Sequence, residues 1–515
     1  MVKIRLKKIL CIFLTAVMLT LIIASCAKDD NNPANVNDAN ANDANAVNNS
    51  DNTAADGGEV DDTTQDTTQS KWVREPIDLP EMDFGGGDFN IITVEVTEAI
   101  RFYEHFTSEE QTGEPINDAL YTRKLNIEEK FNITMKTTPS ATPAETARKS
   151  ILAGDDQYDL IVDTLFNLRN LASQSVLADL YNVPYISEHL DKPWWDQALK
   201  RDLSINGKLF FQAGDIVMKD KLRLAVMYFN KDMFKTIGLD YPYQYVYDGT
   251  WTFDKLVEIT KGLNIDLNGD GVMNQDDQWG LMSEWENGLH MYVAAGERTV
   301  QLNSDGVPEI TMNNPKALQV IERVLDLCTD KVTLFHADTI KGSGNIWYIA
   351  SEFFQENRFL MRTSVFEPIV RDLRAMPTDF GILPYAKFEE SQEEYYSNVK
   401  GDGLFIAIPN NVDMEFAGLI TEAMAYESST TLMPAFYDLC LTSKILRDDE
   451  SEGMLDIIFN SRVYDIGSLY SIGTLPNLLY GMINAGKTDF VSQFEKSLGA
   501  NEKALQKFID TYDAN

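Results

Sequence analysis

The short apolar run at residues 158–163, Tyr-Asp-Leu-Ile-Val-Asp, constrains the fold of this chain more than any other segment. A brief run of this kind is typical of a buried strand in a parallel sheet, where helices cover both faces. A helical pattern at 116–130 precedes it, and residues 168–180 read as a helix behind it. We therefore expect a mixed α/β architecture.

The rest of the body alternates between the same two patterns. Strands are predicted at 88–96, 131–138, 208–213, 222–230, 278–282, 379–385 and 403–409. A capped helix is predicted at 253–263, and the last hundred residues read as helical. Residues 71–515 exceed what one hydrophobic core usually holds, so the length predicts two lobes.

The N-terminus has the pattern of an export signal. Four basic residues within the first eight precede an apolar run at 9–23, and Ala24, Ser25 and Cys26 follow. The run is too short for a comfortable membrane span of about 20 apolar residues. Residues 23–26 resemble the bacterial lipobox, which implies cleavage of a signal peptide at 1–25 and lipidation of Cys26. We expect a protein anchored by lipid at the extracellular face of the cell membrane; ordinary secretion is the alternative.

Composition and cysteine usage agree with export. The polar, Asn- and Asp-rich segment at 26–75 cannot bury enough apolar surface to order itself, so we expect a disordered linker. A net charge of −36 argues against nucleic-acid binding, which needs clustered Lys and Arg. Cys328 and Cys440 lie at apolar helix positions, which predicts buried thiols; a disulfide between them is the alternative.

Residues 266–277 match the twelve-residue calcium loop of EF-hands. Such a loop supplies hard oxygen ligands at positions 1, 3, 5, 7, 9 and 12, with glycine at position 6. The predicted ligands are Asp266, Asn268, Asp270, the carbonyl of Val272, Asn274 and Asp277. Position 12 carries Asp instead of the usual Glu. Because a strand pattern follows instead of a second helix, we expect Ca²⁺ in a structural role; a polar turn without metal is the alternative.

Four segments in their order along the chain resemble the bacterial extracellular solute-binding proteins of family 1, the maltose-binding-protein-like sugar lipoproteins of ABC importers. These are residues 207–213, 227–239, 250–256 and 401–409. The resemblance implies a two-lobe periplasmic-binding-protein-like fold of type II, with discontinuous lobes and a hinge. It places lobe 1 at 76–213 and 404–450, and lobe 2 at 214–403 and 451–515. It also implies a monomer that binds a carbohydrate and works with the transmembrane subunits of an ABC permease.

Candidate ligand residues are carboxylates at strand ends and aromatic residues in polar surroundings, because sugars are held by hydroxyl acceptors and stacking faces. The candidates are Asp163, Asp215, Asp402, Trp194, Trp195, Trp347 and Phe366. Phe366 rests on the resemblance, since relatives often place a stacking aromatic residue there. Loop capping for the carboxylates and packing for the aromatic residues are the alternatives.

Nothing in the sequence indicates catalysis. Its four histidines lack metal or triad spacing, and no nucleophile or phosphate-loop motif occurs. We expect a protein that is not an enzyme, a lipid-anchored binder of an oligosaccharide for an ABC importer. An extracellular carbohydrate-active enzyme, or a binder of peptides or other non-sugar solutes, remains the alternative.

Overall fold

The computed structural model describes residues 74–96, 105–341, 345–373, 376–442 and 450–513. The predicted signal segment, the lipidation residue Cys26 and residues 26–73 of the predicted linker lie outside these ranges, as does the side chain of Cys440. Within the described ranges, no helix combines the length and the apolar character needed to cross a membrane.

Two main sheets organise the chain. The strands are β1 Gly87–Val94, β2 Ile133–Ser140, β3 Leu160–Thr164, β4 Ala225–Asn230, β5 Trp279–Ser283, β6 Val300–Leu302, β7 Pro308–Ile310, β8 Leu334–His336, β9 Phe359–Val365, β10 Phe380–Leu383, β11 Ser397–Asn398, β12 Leu404–Ala407 and β13 Arg462–Val463. The first sheet has the order β12-β3-β1-β2, and the second has β10-β4-β9-β5-β8. Two small pairs, β11-β13 and β6-β7, complete the strand pairing of the described residues.

Helices surround both sheets. They are α1 Pro115–Phe131, α2 Pro143–Ala153, α3 Leu165–Ala172, α4 Ile186–His189, α5 Gln197–Leu203, α6 Lys219–Leu222, α7 Lys231–Ile237, α8 Tyr243–Tyr247, α9 Phe253–Thr260, α10 Asn287–Ala294, α11 Pro315–Thr329, α12 Ile346–Gln355, α13 Glu367–Arg371, α14 Met414–Thr430, α15 Leu432–Thr442, α16 Glu450–Asn460, α17 Ile466–Leu469, α18 Leu475–Asn484 and α19 Phe490–Asp513. Single 3₁₀ turns occur at Leu180–Asn182 and Ala337–Thr339.

The first sheet contains the strand from which the fold class was predicted. β3 begins with three buried apolar residues and ends at Asp163 and Thr164, and β1 pairs with both β2 and β3 in parallel. β12 joins the edge of β3 in antiparallel orientation, although the second sheet lies between them in sequence. α14 and α15 pack against α1 beside this sheet. The first lobe is therefore built from two separate stretches of chain.

The second sheet mixes both strand orientations. β5 lies parallel to β8 and β9, whereas β4 is antiparallel to both β9 and β10. Helix α9 packs against β5 so closely that a Cβ on Gly280 would lie 1.9 Å from the carbonyl oxygen of Thr260. Only glycine fits there, and this contact explains the Trp-Gly-Leu sequence after the predicted calcium loop. The C-terminal helices α18 and α19 pack against α11 beside this sheet.

Two segments cross between the sheets side by side. Gln212 and Ile406 exchange backbone hydrogen bonds of 3.0 and 2.8 Å, and Leu224 bridges Val399. The predicted strand at 208–213 is thus an extended crossing segment, because its pairing with β12 is limited to the single bridge between Gln212 and Ile406. Gly214 has φ 120°, and a Cβ there would lie 2.3 Å from the carbonyl oxygen of Trp194.

The observed helix α3 ends earlier than the helix predicted at 168–180. α3 ends at Ala172, and Ser175 adopts a positive φ of 54°. Leu177 then forms an isolated bridge with Pro409. The apolar residues beyond α3 are buried by this pairing, so their apolar pattern reflects burial and not helical periodicity.

Candidate functional site

A groove of about 300 Å³ lies where the two lobes face each other. Phe166 of α3 contributes from the first lobe, and Leu289 and His290 of α10 contribute from the second. Lys400 and Gly401 of the returning crossing segment also line it. Because both lobes line this groove, a ligand bound in it would contact both of them.

Ion pairs follow the groove along the crossing segments. The Nζ of Lys400 lies 2.9 Å from Glu286 Oε1, and the Nε of Arg223 donates to Asp402 Oδ1 at 3.0 Å. Arg223 also contacts Glu367 at 2.5 Å. Burial alone would raise the pKa of Asp402, but Arg223 and Lys400 outweigh it and hold that pKa well below its usual range. Asp402 therefore remains a charged hydrogen-bond acceptor.

A smaller pocket of about 50 Å³ continues the groove over the second sheet and shares Glu286 and Lys400 with it. At its base Arg362 of β9 lies 3.2 Å from Glu284, and both side chains are almost completely buried. Burial raises the pKa of Glu284 despite this neighbour. The Nη1 of Arg362 donates to Ser351 Oγ at 2.9 Å, which ties the pair to helix α12.

Two exposed aromatic side chains mark the edges of the site. Trp347 of α12 is 46% exposed and lines the smaller pocket. Tyr480 of α18 is 38% exposed and lines the larger groove, and its ring centroid lies 5.8 Å from that of Trp285. Large aromatic rings left in solvent beside hydrogen-bonding groups are the arrangement that binds the apolar faces of sugars.

One polar atom in the groove lacks a hydrogen-bond partner. Asn398 is 2% exposed; its Nδ2 donates to the Nδ1 of His290 at 3.0 Å, and its Oδ1 bonds to nothing in the structure. Burial, and then the charge of Lys400, lower the pKa of His290 to about 4, so its ring is neutral at physiological pH. The Oδ1 of Asn398 is thus a buried acceptor oxygen without a hydrogen-bond partner.

The structure brings only some of the sequence candidates into this site. Trp347 lines the smaller pocket. Asp402 lies behind it and accepts a hydrogen bond from Arg223, which lines that pocket. Asp163 lies in the first lobe beside a separate pocket of about 120 Å³, where it accepts from the backbone N–H groups of Ala144 and Thr164. It therefore holds the first turn of α2, which is the capping role given as its alternative.

The other candidates are buried in packing or charge networks. Trp194 and Trp195 donate their indole N–H groups to the two oxygens of Glu422, at 2.8 and 2.9 Å. Phe366 is fully buried, with its ring against Phe459. Asp215 lies 3.9 Å from Arg74, and burial raises its pKa to about 6. None of these four side chains lines the groove, because each is enclosed by its own lobe or by the crossing segments.

Several groove residues were missed from the sequence: Arg223, Glu284, Glu286, His290, Asn398, Lys400 and Tyr480. A usable signal existed for some of them. Arg223 lies at the start of a predicted strand, Glu284 just after one, and Lys400 just before the motif at 401–409. Charged residues at strand ends in an α/β fold mark the ligand edge of the sheet. Tyr480 has no comparable signal, because it comes from a distant C-terminal helix.

The predicted calcium loop is closed by its own side chains. Asp266 accepts from the backbone N–H groups of Gly269 and Gly271, and Asp277 accepts from those of Leu267 and Asn274. Ile265 and Gln278 pair across its ends. Asp277 is completely buried, and none of the described Lys or Arg side chains forms an ion pair with it.

The donor atoms of this loop fit calcium in chemistry, since carboxylate, amide and carbonyl oxygens are its preferred ligands. A buried carboxylate without a cationic partner also favours a metal, because burying an isolated charge is costly. In the part of the chain that the structure describes, however, no three His, Cys, Asp or Glu side chains form a metal-holding group. Binding would therefore depend on Asn268, Asn274 and the Val272 carbonyl as well as on the carboxylates.

A second cavity, of about 620 Å³, lies beside this loop. Its lining comes only from the second lobe, including Trp279, Cys328 and His336. Cys328 is a buried free thiol with its Sγ 3.7 Å from Met291 Sδ, and burial raises its pKa to about 12. A ligand in this cavity would contact the second lobe alone, because residues of the first lobe do not line it.

Comparisons with known proteins bear on the fold. No protein-family model matches the sequence, and no curated protein does. Among solved structures, a cyclo/maltodextrin-binding protein complexed with maltotetraose is similar, with a TM-score of 0.54 and 15% identity over 83% of this chain and 97% of the other. A sugar transporter from Rhizobium etli in an open conformation gives a TM-score of 0.51 and 11% identity over 83% and 99%. The chain therefore has the two-lobe α/β fold of these structures, which confirms the predicted fold class.

Proposed function

We propose that this protein captures a carbohydrate, such as an oligosaccharide, between its two lobes and delivers it to the transmembrane subunits of an ABC importer. The observation that carries this proposal is the groove itself. It is lined by both lobes and combines charged acceptors with the exposed rings of Trp347 and Tyr480. The similar structure with bound maltotetraose supports a sugar as the ligand class.

The function needs binding and release only, so we propose no catalytic step. The charged groups of the groove are held in ion pairs, as Arg223 is with Asp402 and Lys400 with Glu286. Fixed acceptors of this kind orient hydroxyl groups. A ligand bridging the lobes would favour their closed arrangement, which a permease could recognise.

Two further parts of the proposal rest on the sequence. Lipid on Cys26 would hold the protein at the extracellular face of the cell membrane, as a monomer on its linker. Calcium in the loop at 266–277 would brace the second lobe beside β5, since the loop joins α9 to that strand.

A thermal-shift screen against neutral oligosaccharides, followed by product analysis, tests the function. We expect a higher melting temperature with at least one sugar and no change in that sugar after prolonged incubation. Released reducing ends would support the carbohydrate-active enzyme instead. Stabilisation by peptides alone would support a binder of non-sugar solutes.

A further inference from the structure

We propose that the cavity of about 620 Å³ beside the loop at 266–277 is a second binding site, which takes a small ligand that combines an anionic group with a ring. The volume lies within the range of about 300–1,000 Å³ that is usual for small-molecule sites. The proposal does not rest on carbohydrate capture in the groove, because the second lobe alone lines this cavity. It follows from the aromatic rings in the wall and from two lysines without carboxylate partners.

Aromatic side chains form part of the cavity wall. Trp279 and Phe335 line it with their ring centroids 5.4 Å apart, and the half-buried Trp285 lines it as well. The indole N–H of Trp279 is already donated to the carbonyl oxygen of Asn274 at 2.8 Å, so this side chain offers a ligand its ring and not a hydrogen bond. Rings pack against such surfaces by offset or edge-on contact. The wall therefore favours a ligand with a ring.

Two lysines supply positive charge to the same cavity. Lys331 and Lys341 both line it and are exposed, and neither forms an ion pair with a carboxylate of the described residues. His336 also lines the cavity, but burial lowers its pKa, so its ring is neutral at physiological pH. A bound anion could pair with the two ammonium groups without breaking an existing ion pair, and such charge-assisted contacts are among the stronger polar interactions.

The carboxylates near the cavity do not cancel this charge. Within the described part of the chain, Asp276 is the one acidic residue of the lining, and it lies 3.7 Å from the Nη1 of Arg358, which is outside the lining. The other acidic side chains of the loop accept backbone N–H groups within it and do not line the cavity; these are Asp266, Asp270 and Asp277. The cavity therefore attracts an anion, although the whole chain has a net charge of −36.

A matched pair of fluorescent probes tests this inference. Anilinonaphthalene sulfonate combines an anionic group with rings, and phenylnaphthylamine has the same rings without the sulfonate. We would titrate the full chain and the variant Lys331→Gln/Lys341→Gln with each probe at low salt. We expect the variant to bind the sulfonate about fivefold more weakly, because two favourable charge contacts are lost, and to bind the neutral probe as the wild type does.

Two results of this titration would overturn the proposal. Unchanged binding of the sulfonate in the double variant would show that the lysines do not contact an anion. An equal loss for both probes would show that the substitutions act on the wall and not through charge. Attachment of a probe elsewhere on the chain is common to the wild type and the variant, so it cancels in this comparison.

Two control variants locate the bound probe. Lys503→Gln changes an exposed lysine of α19 outside the cavity, and Trp347→Ala removes a ring from the smaller pocket between the lobes. Both variants should bind both probes as the wild type does. A loss of sulfonate binding in Trp347→Ala as large as in the double lysine variant would place the probe between the lobes and overturn the second site.

Sugar acids and aromatic carboxylates share the chemistry that this cavity favours, and competition distinguishes them. Displacement of the sulfonate by galacturonate would identify a sugar acid as the ligand class, and displacement by benzoate would identify an aromatic carboxylate. Failure of both to displace it at millimolar concentration would overturn the proposed ligand class. None of these results bears on carbohydrate capture, which is tested by sugar binding in the groove.

Discussion

Glu422 is the most unusual carboxyl group in the first lobe. Its side chain is fully buried on α14, where it accepts hydrogen bonds from both Trp194 and Trp195. His189 Nδ1 lies 3.5 Å away. Burial raises the pKa of Glu422 to about 8, because the two indole N–H groups offset only part of the desolvation of the charged form.

This shift predicts a stability that falls as the pH rises. A carboxyl whose folded pKa lies above its unfolded value binds its proton more tightly in the folded state. Its stabilising contribution is complete below the unfolded pKa of about 4.5 and is lost as the pH approaches 8. At about 1.4 kcal/mol per pH unit the loss amounts to a few kcal/mol, and denaturant unfolding between pH 5 and 9 measures it.

The variant Glu422→Gln is the control for this prediction. It removes the ionisable proton but keeps one acceptor oxygen for an indole N–H. We expect it to be less stable than the wild type at pH 5 and to have a flatter pH profile. Identical slopes in the two proteins would show that Glu422 does not titrate in this range. Asp159 and Asp215, whose pKa values burial raises to about 6, account for any slope that remains.

Trp347 is the candidate whose exposure argues most directly for ligand contact. Truncation to Ala should weaken sugar binding roughly tenfold or more, because a stacking face worth at least ~1.4 kcal/mol is lost. Tyr247 is equally exposed, at 46%, but lies outside the groove, so Tyr247→Ala is the matched control. Calorimetric titration checks both variants, and equal affinities in both would remove Trp347 from the site.

At the scale of elements, the loop at 266–277 makes the calcium proposal testable. A ligand that binds only the folded state stabilises it by about 2.7 kcal/mol at a hundredfold excess over Kd. We expect calcium to raise the melting temperature and EDTA to lower it. Asp270→Ala removes a predicted ligand and should abolish the response.

Asp276→Asn is the control within the same loop. Asp276 is not among the predicted ligands and lies 3.7 Å from Arg358, so this variant should respond to calcium as the wild type does. A wild-type melting temperature that is the same in calcium and in EDTA would eliminate the metal and leave the loop as a polar turn.

Two glycines give contrasting predictions about packing. Gly280→Ala would place a Cβ 1.9 Å from the backbone oxygen of Thr260, so α9 and β5 would have to move apart. We expect a loss of roughly 2–3 kcal/mol in the free energy of unfolding. Gly481→Ala, in α18 with nothing within 4 Å, should be neutral or slightly stabilising. Denaturant unfolding distinguishes them, and equal effects would refute the close α9–β5 contact.

The elements that could be predicted from the sequence are those with local signals. The first three residues of β3 are apolar and buried, and α1 begins at Pro115 after Glu114, which accepts from the N–H of Asn117. The segment at 208–213 was predicted as a strand from its local pattern, but its pairing with β12 is a single bridge to residue 406, far later in the chain. The pair Trp194 and Trp195 misled for the same reason, since the carboxyl that binds them lies more than 200 residues later. Long-range partners leave no local pattern, and most of the groove is built from them.

At the scale of the whole molecule, the crossing segments determine how the lobes can move. Gln212 pairs with Ile406 and Leu224 with Val399, so the two segments bend together. Gly214, at φ 120°, lies between these pairings. Because the groove lies beside them, a ligand that contacts both lobes is coupled directly to their relative orientation. The ion pair between Arg223 and Asp402 also links the outgoing segment to the returning one.

We therefore expect sugar binding to reduce the radius of gyration in small-angle X-ray scattering, because a ligand that touches both lobes favours their closed arrangement. The double variant Trp347→Ala/Tyr480→Ala should show no such change at the same sugar concentration, since its ligand contacts are weakened while the crossing segments are intact. A sugar that binds the wild type without reducing its radius of gyration would argue against closure. Capture would then depend on the preformed groove alone, and a permease would have to recognise the occupied groove directly instead of a closed shape.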